Sequence, residues 1–186
     1  MRKTYTIDIA GMKRDLPLFP ITDDLYIGAF IIFGDVEITK HSAKELLKLA
    51  PEYDIMMTAE CKSIPLLYEM AAQAGANDYV IARKGPKLYM DNLITVEVDS
   101  ITTAKKQILC IGQKEVDLIK GKKVLLVDDV ISTGESLAAL ERLVEKAGGI
   151  IAGKMAVLAE GGAAERHDIT VLAPLPLFNA DGTVKE

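Results

Sequence analysis

Two cysteines, two histidines and no apolar run of membrane-spanning length narrow the field before any motif is read. Cys61 and Cys110 stand far apart in the chain, and no disulfide follows from their positions. His41 falls in a short helical pattern and His167 lies between Arg166 and Asp168. Neither has the spacing of a metal ligand, so no metal set is expected from the chain itself. The opening Met-Arg-Lys leads into alternating Tyr5, Ile7 and Ile9 rather than the apolar centre of a signal peptide, and a cytoplasmic protein without a membrane partner is expected. Basic residues are outnumbered 22 to 27, giving a formal net charge of −5. With no basic block or stripe, that balance argues against nucleic acid as a partner.

What is present is ordinary in bulk and specific in one place. At 49% hydrophobic and 26% charged over 186 residues, the chain suits one globular domain with a full core. Residues 124–137 read Val-Leu-Leu-Val-Asp-Asp-Val-Ile-Ser-Thr-Gly-Glu-Ser-Leu. Residues 124–127 have the character of a buried parallel strand that ends in two carboxylates, Asp128 and Asp129. Apolar residues at Leu137, Leu140, Leu143, Val144 and Ala147 then recur at helical spacing, and Gly148 and Gly149 stop the pattern.

A helix start offers unpaired backbone N–H groups and partial positive charge, which suit a phosphate. Ser132, Thr133 and Ser136 add hydroxyl donors there, and Gly134 lets the backbone approach the anion without a Cβ in the way. The acids would be repelled by phosphate and suit hydroxyl donors instead. A ribose 5-phosphate satisfies both demands. The plainer reading is a capping box of Ser132 and Glu135, which accounts for a helix start but not for two acids at a strand end.

The stretch closely resembles the phosphoribosyl diphosphate (PRPP) motif of type I phosphoribosyltransferases: four apolar residues, two acids, two apolar residues, then a Thr-Gly phosphate loop. The resemblance covers about residues 52–172. It implies that Asp128 and Asp129 act in catalysis, and that Val130, Ile131, Ser132, Thr133, Gly134, Glu135 and Ser136 bind the 5-phosphate. Residues 58–63, Thr-Ala-Glu-Cys-Lys-Ser, stand where the adenine and xanthine enzymes carry a pyrophosphate loop. Glu60, Cys61, Lys62 and Ser63 are therefore PRPP-binding candidates, and the Cys61–Lys62 bond is where a strained peptide is expected. Residues 82–87, Ala-Arg-Lys-Gly-Pro-Lys, resemble the start of the mobile loop in the same enzymes. They add Arg83 and Lys87 as catalytic candidates and Lys84 as a PRPP contact. Cations closing over pyrophosphate would stabilise its charge and exclude water. One departure is that no tyrosine lies in residues 96–100, and Tyr89 is offset.

The rest of the chain reads as follows. Residues 4–9 alternate like a half-exposed strand, and residues 25–33 form a long apolar run without βαβ rhythm, so residues 1–38 are expected to form a small N-terminal cap, or hood. Ser42 and Glu45 read as a capping box opening a short helix over residues 43–50. Strands are expected near 54–58, 79–82, 92–98, 107–111, 150–158 and 169–172, with a helix from Pro65 to Gly75. The fold expected is α/β: a mostly parallel twisted sheet flanked by helices, comprising residues 39–186, with a hairpin-like mobile loop at about 84–106. Ligands then bind beyond the strand C-terminal ends.

By resemblance, the activity expected is transfer of ribose 5-phosphate from PRPP to a purine base, most directly adenine, with Mg²⁺ carried on PRPP and a homodimer as the assembly. Glu160 and Phe33 are the base-binding candidates, with Phe30 and Phe178 as further aromatic options. Alternatives are a xanthine or other oxopurine acceptor, and a PRPP-sensing regulator without turnover. A phospho-receiver is excluded because too few residues follow Asp129 for its remaining strands.

Overall fold

A computed structural model describes residues 3–98 and 107–185. Three strands open the chain, β1 (Thr4–Ile9), β2 (Met12–Pro20) and β3 (Tyr26–Gly28). They form an antiparallel sheet whose fourth member is the last strand, β11 (Leu177–Phe178), so this hood is made from both ends of the chain. Most of the apolar run at 25–33 therefore stays outside regular strands. Its inward residues, Phe30 and Ile32, are buried, while Ile31 and Phe33 are exposed.

The first helix, α1 (Val36–Leu49), begins well before the expected capping box. Asp35 caps it by accepting from the Ile38 N–H at 3.0 Å, and Arg14 braces that carboxylate at 2.6 Å. Ser42 lies completely buried inside the helix instead of at its start. Local spacing placed the start too late because Asp35 already caps the helix with its own carboxylate, before the Ser42–Glu45 pair is reached.

β4 (Ile55–Ala59), α2 (Ile64–Ala74) and β5 (Val80–Ala82) follow as one βαβ unit. Next come β6 (Ile94–Val98) and β7 (Gln107–Ile111), which pair antiparallel. A short helix, α3 (Gln113–Ile119), follows unanticipated, because seven residues carry too little periodicity to be read. Residues 99–106 of the expected loop lie outside the described residues.

The centre is β8 (Lys123–Ile131), followed by α4 (Glu135–Lys146), β9 (Ile150–Glu160), a short 3₁₀ turn at Gly161–Glu165 and β10 (Thr170–Leu175). The main sheet has the order β10-β9-β8-β4-β5, and every pairing in it is parallel. Leu137, Leu140, Leu143 and Val144 of α4 pack one face, together with Val96, Leu109 and Ile111 of the β6–β7 hairpin. Leu46 of α1 and Leu66, Leu67 and Met70 of α2 pack the other, against Leu125, Val127 and Val157. Met56 and Met57 are buried core residues. The stop after α4 needs both glycines. Gly148 has φ +77°, and a Cβ on Gly149 would lie 2.6 Å from Ile119.

Candidate active site

β8 does not end at its acids. It stays paired with β9 through Asp128, Val130 and Ile131, so the carboxylates ride on a strand held by the ladder. The four-residue apolar run underestimated the strand because two charges look like a boundary when only periodicity is read. At the same sheet edge, β4 runs on into residues 60–63, β5 is followed by Arg83 and β9 ends at Glu160.

Two adjoining hollows follow from this. The larger, of about 210 Å³, is walled by Glu60, Cys61, Lys62, Ser63, Lys84, Asp128, Asp129, Val130 and Ser136. Val98 and residues 107–109 of the hairpin complete it, a wall that the sequence did not assign. The smaller, of about 50 Å³, is formed by Asp128 and residues 130–137, the expected phosphate turn. Gly134 stands at the N-cap of α4 with φ +81° and no side-chain cap, so the capping box of Ser132 and Glu135 is not formed. Instead, the Glu135 N–H faces the Thr133 hydroxyl at 3.4 Å. A Cβ on Gly134 would fall 2.5 Å from Nη1 of Arg166, whose guanidinium forks onto Asp168 at 2.7 and 2.9 Å. Arg166 thus lies against the turn, and only the tertiary structure reveals it.

The loop after β4 is bound tightly to the acids. The Ser63 hydroxyl lies 2.5 Å from Oδ1 of Asp128 and 3.0 Å from Oδ1 of Asp129, and it accepts from the Asp129 N–H at 2.9 Å. Lys62 Nζ is 2.8 Å from the other Asp129 oxygen. Asp129 is only 2% exposed and borders the larger hollow, whereas Asp128 borders both. Burial, and then the charge of Asp129, push the Asp128 carboxyl up to about 7. The non-proline cis peptide of this loop is Glu60–Cys61, one bond before the expected Cys61–Lys62.

Glu60 joins two basic segments. Its carboxylate accepts from the Lys84 N–H at 3.0 Å and lies 3.5 Å from Arg83. That backbone hydrogen bond, with the charges of Arg83, Lys87 and Lys84, holds its pKa below the usual carboxylate range. Lys84 lines the larger hollow, but Arg83 and Lys87 do not. Arg83 is turned toward Glu60, its backbone bridged to Cys110.

A third recess, of about 290 Å³, lies between the hood and the main sheet. Residues 27–31, Lys62, Val130, Ser132, Glu160 and Leu175 line it. Burial raises the Glu160 pKa, while the charge of Lys62 opposes the shift. Phe33 is exposed and is not part of this lining, which uses Phe30 and its neighbours instead. Phe178 instead packs against Tyr5 in the hood, 4.9 Å between ring centroids.

The family model of the phosphoribosyl transferase domain matches residues 37–176. The chain belongs to that family. An adenine phosphoribosyltransferase from Petrotoga mobilis is 30% identical over 151 residues, covering 77% of this chain and 80% of that one. A hypoxanthine/guanine phosphoribosyltransferase from Ferroglobus placidus is 29% identical over 158 residues, covering 83% and 77%. Among solved structures, adenine phosphoribosyltransferase from Thermoanaerobacter pseudethanolicus shares the fold with a TM-score of 0.70 at 21% identity, covering 86% of this chain and 95% of that one. The matched phosphoribosyltransferase segment begins at α1 and ends after β10, so β1–β3 lie outside it.

Proposed function

We propose that this phosphoribosyltransferase transfers ribose 5-phosphate from PRPP to adenine, releasing pyrophosphate. The observation that carries the reading is the convergence of the acidic strand end, the phosphate turn and the Lys62–Lys84 pair around two adjoining hollows. The backbone and hydroxyls of residues 130–136 bind the 5-phosphate at the start of α4. The acids of β8 face the ribose, and Lys62, Ser63 and Lys84 face the diphosphate. Arg83 and Lys87 act through the field they add and through Glu60, with Cys61 carried on the same loop. The C–O bond to pyrophosphate breaks with positive charge developing on the sugar, which the carboxylates stabilise, so the protein contributes chiefly position and electrostatics.

Mg²⁺ suits the donor set. Among the described residues no cluster of three His, Cys, Asp or Glu side chains forms a cage, while the carboxylates of Glu60, Asp128 and Asp129 border the hollow. Such a site takes Mg²⁺ together with substrate phosphates, where the ion supplies charge neutralisation to the leaving diphosphate. In this reading the protein acts as a cytoplasmic homodimer. The exposed apolar groove beside Val36 and Tyr68 supports the assembly, and light scattering would measure its mass.

Glu160 supports adenine because a carboxylate accepts from the exocyclic amine. An oxopurine acceptor is the second reading. The Ferroglobus relative, a hypoxanthine/guanine phosphoribosyltransferase, favours it. Incubation with PRPP, Mg²⁺ and each purine in turn, following pyrophosphate release and the nucleotide product, tests both. Adenosine monophosphate is the expected product. Turnover confined to hypoxanthine, guanine or xanthine would transfer the conclusion to the oxopurines, and PRPP binding without turnover on any base would make the chain a sensor.

A further inference from the structure

We infer that Arg166, which lies outside the motif, is the countercharge of the 5-phosphate. The inference deepens the proposed activity and rests on it. It starts from a shortage of positive charge. Residues 124–137 hold two aspartates and a glutamate but no lysine or arginine. The smaller hollow is accordingly lined by Asp128 and Glu135, with no basic side chain among the described residues of its wall. A phosphomonoester entering there carries a charge of about −1.5 to −2 at neutral pH. The start of α4 answers with roughly half a positive charge and its free N–H groups. Two carboxyl groups at close range offer no compensation, so a full cation has to come from another element. Lys62 and Lys84 line the larger hollow instead.

Arg166 is that cation. A Cβ on Gly134 would fall 2.5 Å from its Nη1, so the guanidinium lies against the bare Cα at the N-cap of α4. Gly134 is thus needed twice, for its φ of +81° and for this close approach. The other two guanidinium nitrogens, Nε and Nη2, fork onto Asp168, which leaves Nη1 outside the fork and beside the turn. Asp168 is itself fixed by Lys154 at 2.6 Å, and Lys154 by Glu141 of α4 at 2.9 Å. The Lys154 side chain is only 16% exposed, so this link is not a loose surface pair. The line of charges therefore runs from the body of α4 through β9 and back to the helix's own start. A cation held this way is pre-organised, and little side-chain freedom is lost when the anion arrives. Its charge reaches the phosphate across Gly134, without a place in the hollow's wall.

Ribose 5-phosphate and magnesium pyrophosphate are the two probes, their dissociation constants measured by calorimetry on the full chain with melting curves as folding controls. Arg166→Gln should weaken ribose 5-phosphate about tenfold and magnesium pyrophosphate less than about threefold. Asp168→Asn keeps an acceptor for the fork and leaves the cation in place, so ribose 5-phosphate should stay within about threefold of wild type. Phosphorus NMR adds a readout that a merely structural fork would not move. The bound phosphate should take up its second proton at higher pH in Arg166→Gln than in wild type, because a neighbouring cation favours the dianion. If Arg166→Gln fails to fold, Arg166→Met, which keeps an apolar stem, carries the comparison. Equal losses of ribose 5-phosphate in Arg166→Gln and Asp168→Asn would reduce the fork to a structural tie and overturn the inference. So would an unchanged ribose 5-phosphate constant in Arg166→Gln. Wild-type protein that binds neither probe would overturn the proposed activity first, and the inference with it, before any variant is compared.

Discussion

At the scale of single residues, Asp128 sets a pH dependence whose sign is opposite to that of most carboxylates. Its folded pKa of about 7 lies above the roughly 3.9 of an unfolded aspartate, so between those values the native state keeps a proton that the unfolded state has lost. Its contribution to stability is therefore complete below about pH 4 and is lost as pH rises through 7. Asp128→Asn should raise the melting temperature at pH 8 by on the order of a few degrees and leave it nearly unchanged at pH 4. Scanning calorimetry at the two pH values measures the difference, and an equal change at both would remove the assignment. On the proposed role of Asp128 the same proton would govern binding, because a neutral carboxyl is a poorer acceptor for sugar hydroxyls. The KM for PRPP should rise as pH falls below about 7.

At the scale of elements, the helix starts carry the lesson. The turn at Ser132–Gly134 was legible because hydroxyls, glycine and an apolar strand are neighbours in sequence, and the structure brings them together as a recess. The start of α1 was not, because its cap is Asp35, which follows an apolar run and is braced by Arg14, twenty-one positions away. The same holds for Arg166 beside Gly134 and for residues 27–31 beside Glu160, contacts made only by the folded chain. Asp35→Ala should cost about 1–2 kcal/mol, most of it the lost cap, since the partly exposed pair with Arg14 contributes little. Asp35→Asn, which retains an acceptor, should recover most of that loss in urea denaturation. If asparagine proves as damaging as alanine, the ion pair and not the cap holds the helix.

At the scale of the molecule, the parallel sheet was legible from alternating strands and helices, whereas the hood's composition was not, since two residues near the end of the chain give no periodic signal. Yet Phe178 is fully buried there, and a Cβ on Gly28 of β3 would meet Leu175 at 3.3 Å and Phe178 at 3.4 Å. Phe178→Ala should destabilise the fold by about 3–5 kcal/mol in urea. It should also raise the KM for the base more than that for PRPP, because the third recess leans on β3 and Leu175 while the phosphate turn does not. Equal changes in both constants would detach the hood from base binding. The hood's dependence on both ends of the chain also orders events in time. In a growing chain β3 therefore waits without the fourth strand beside it until β11 has left the ribosome, long after β1 and β2 have emerged.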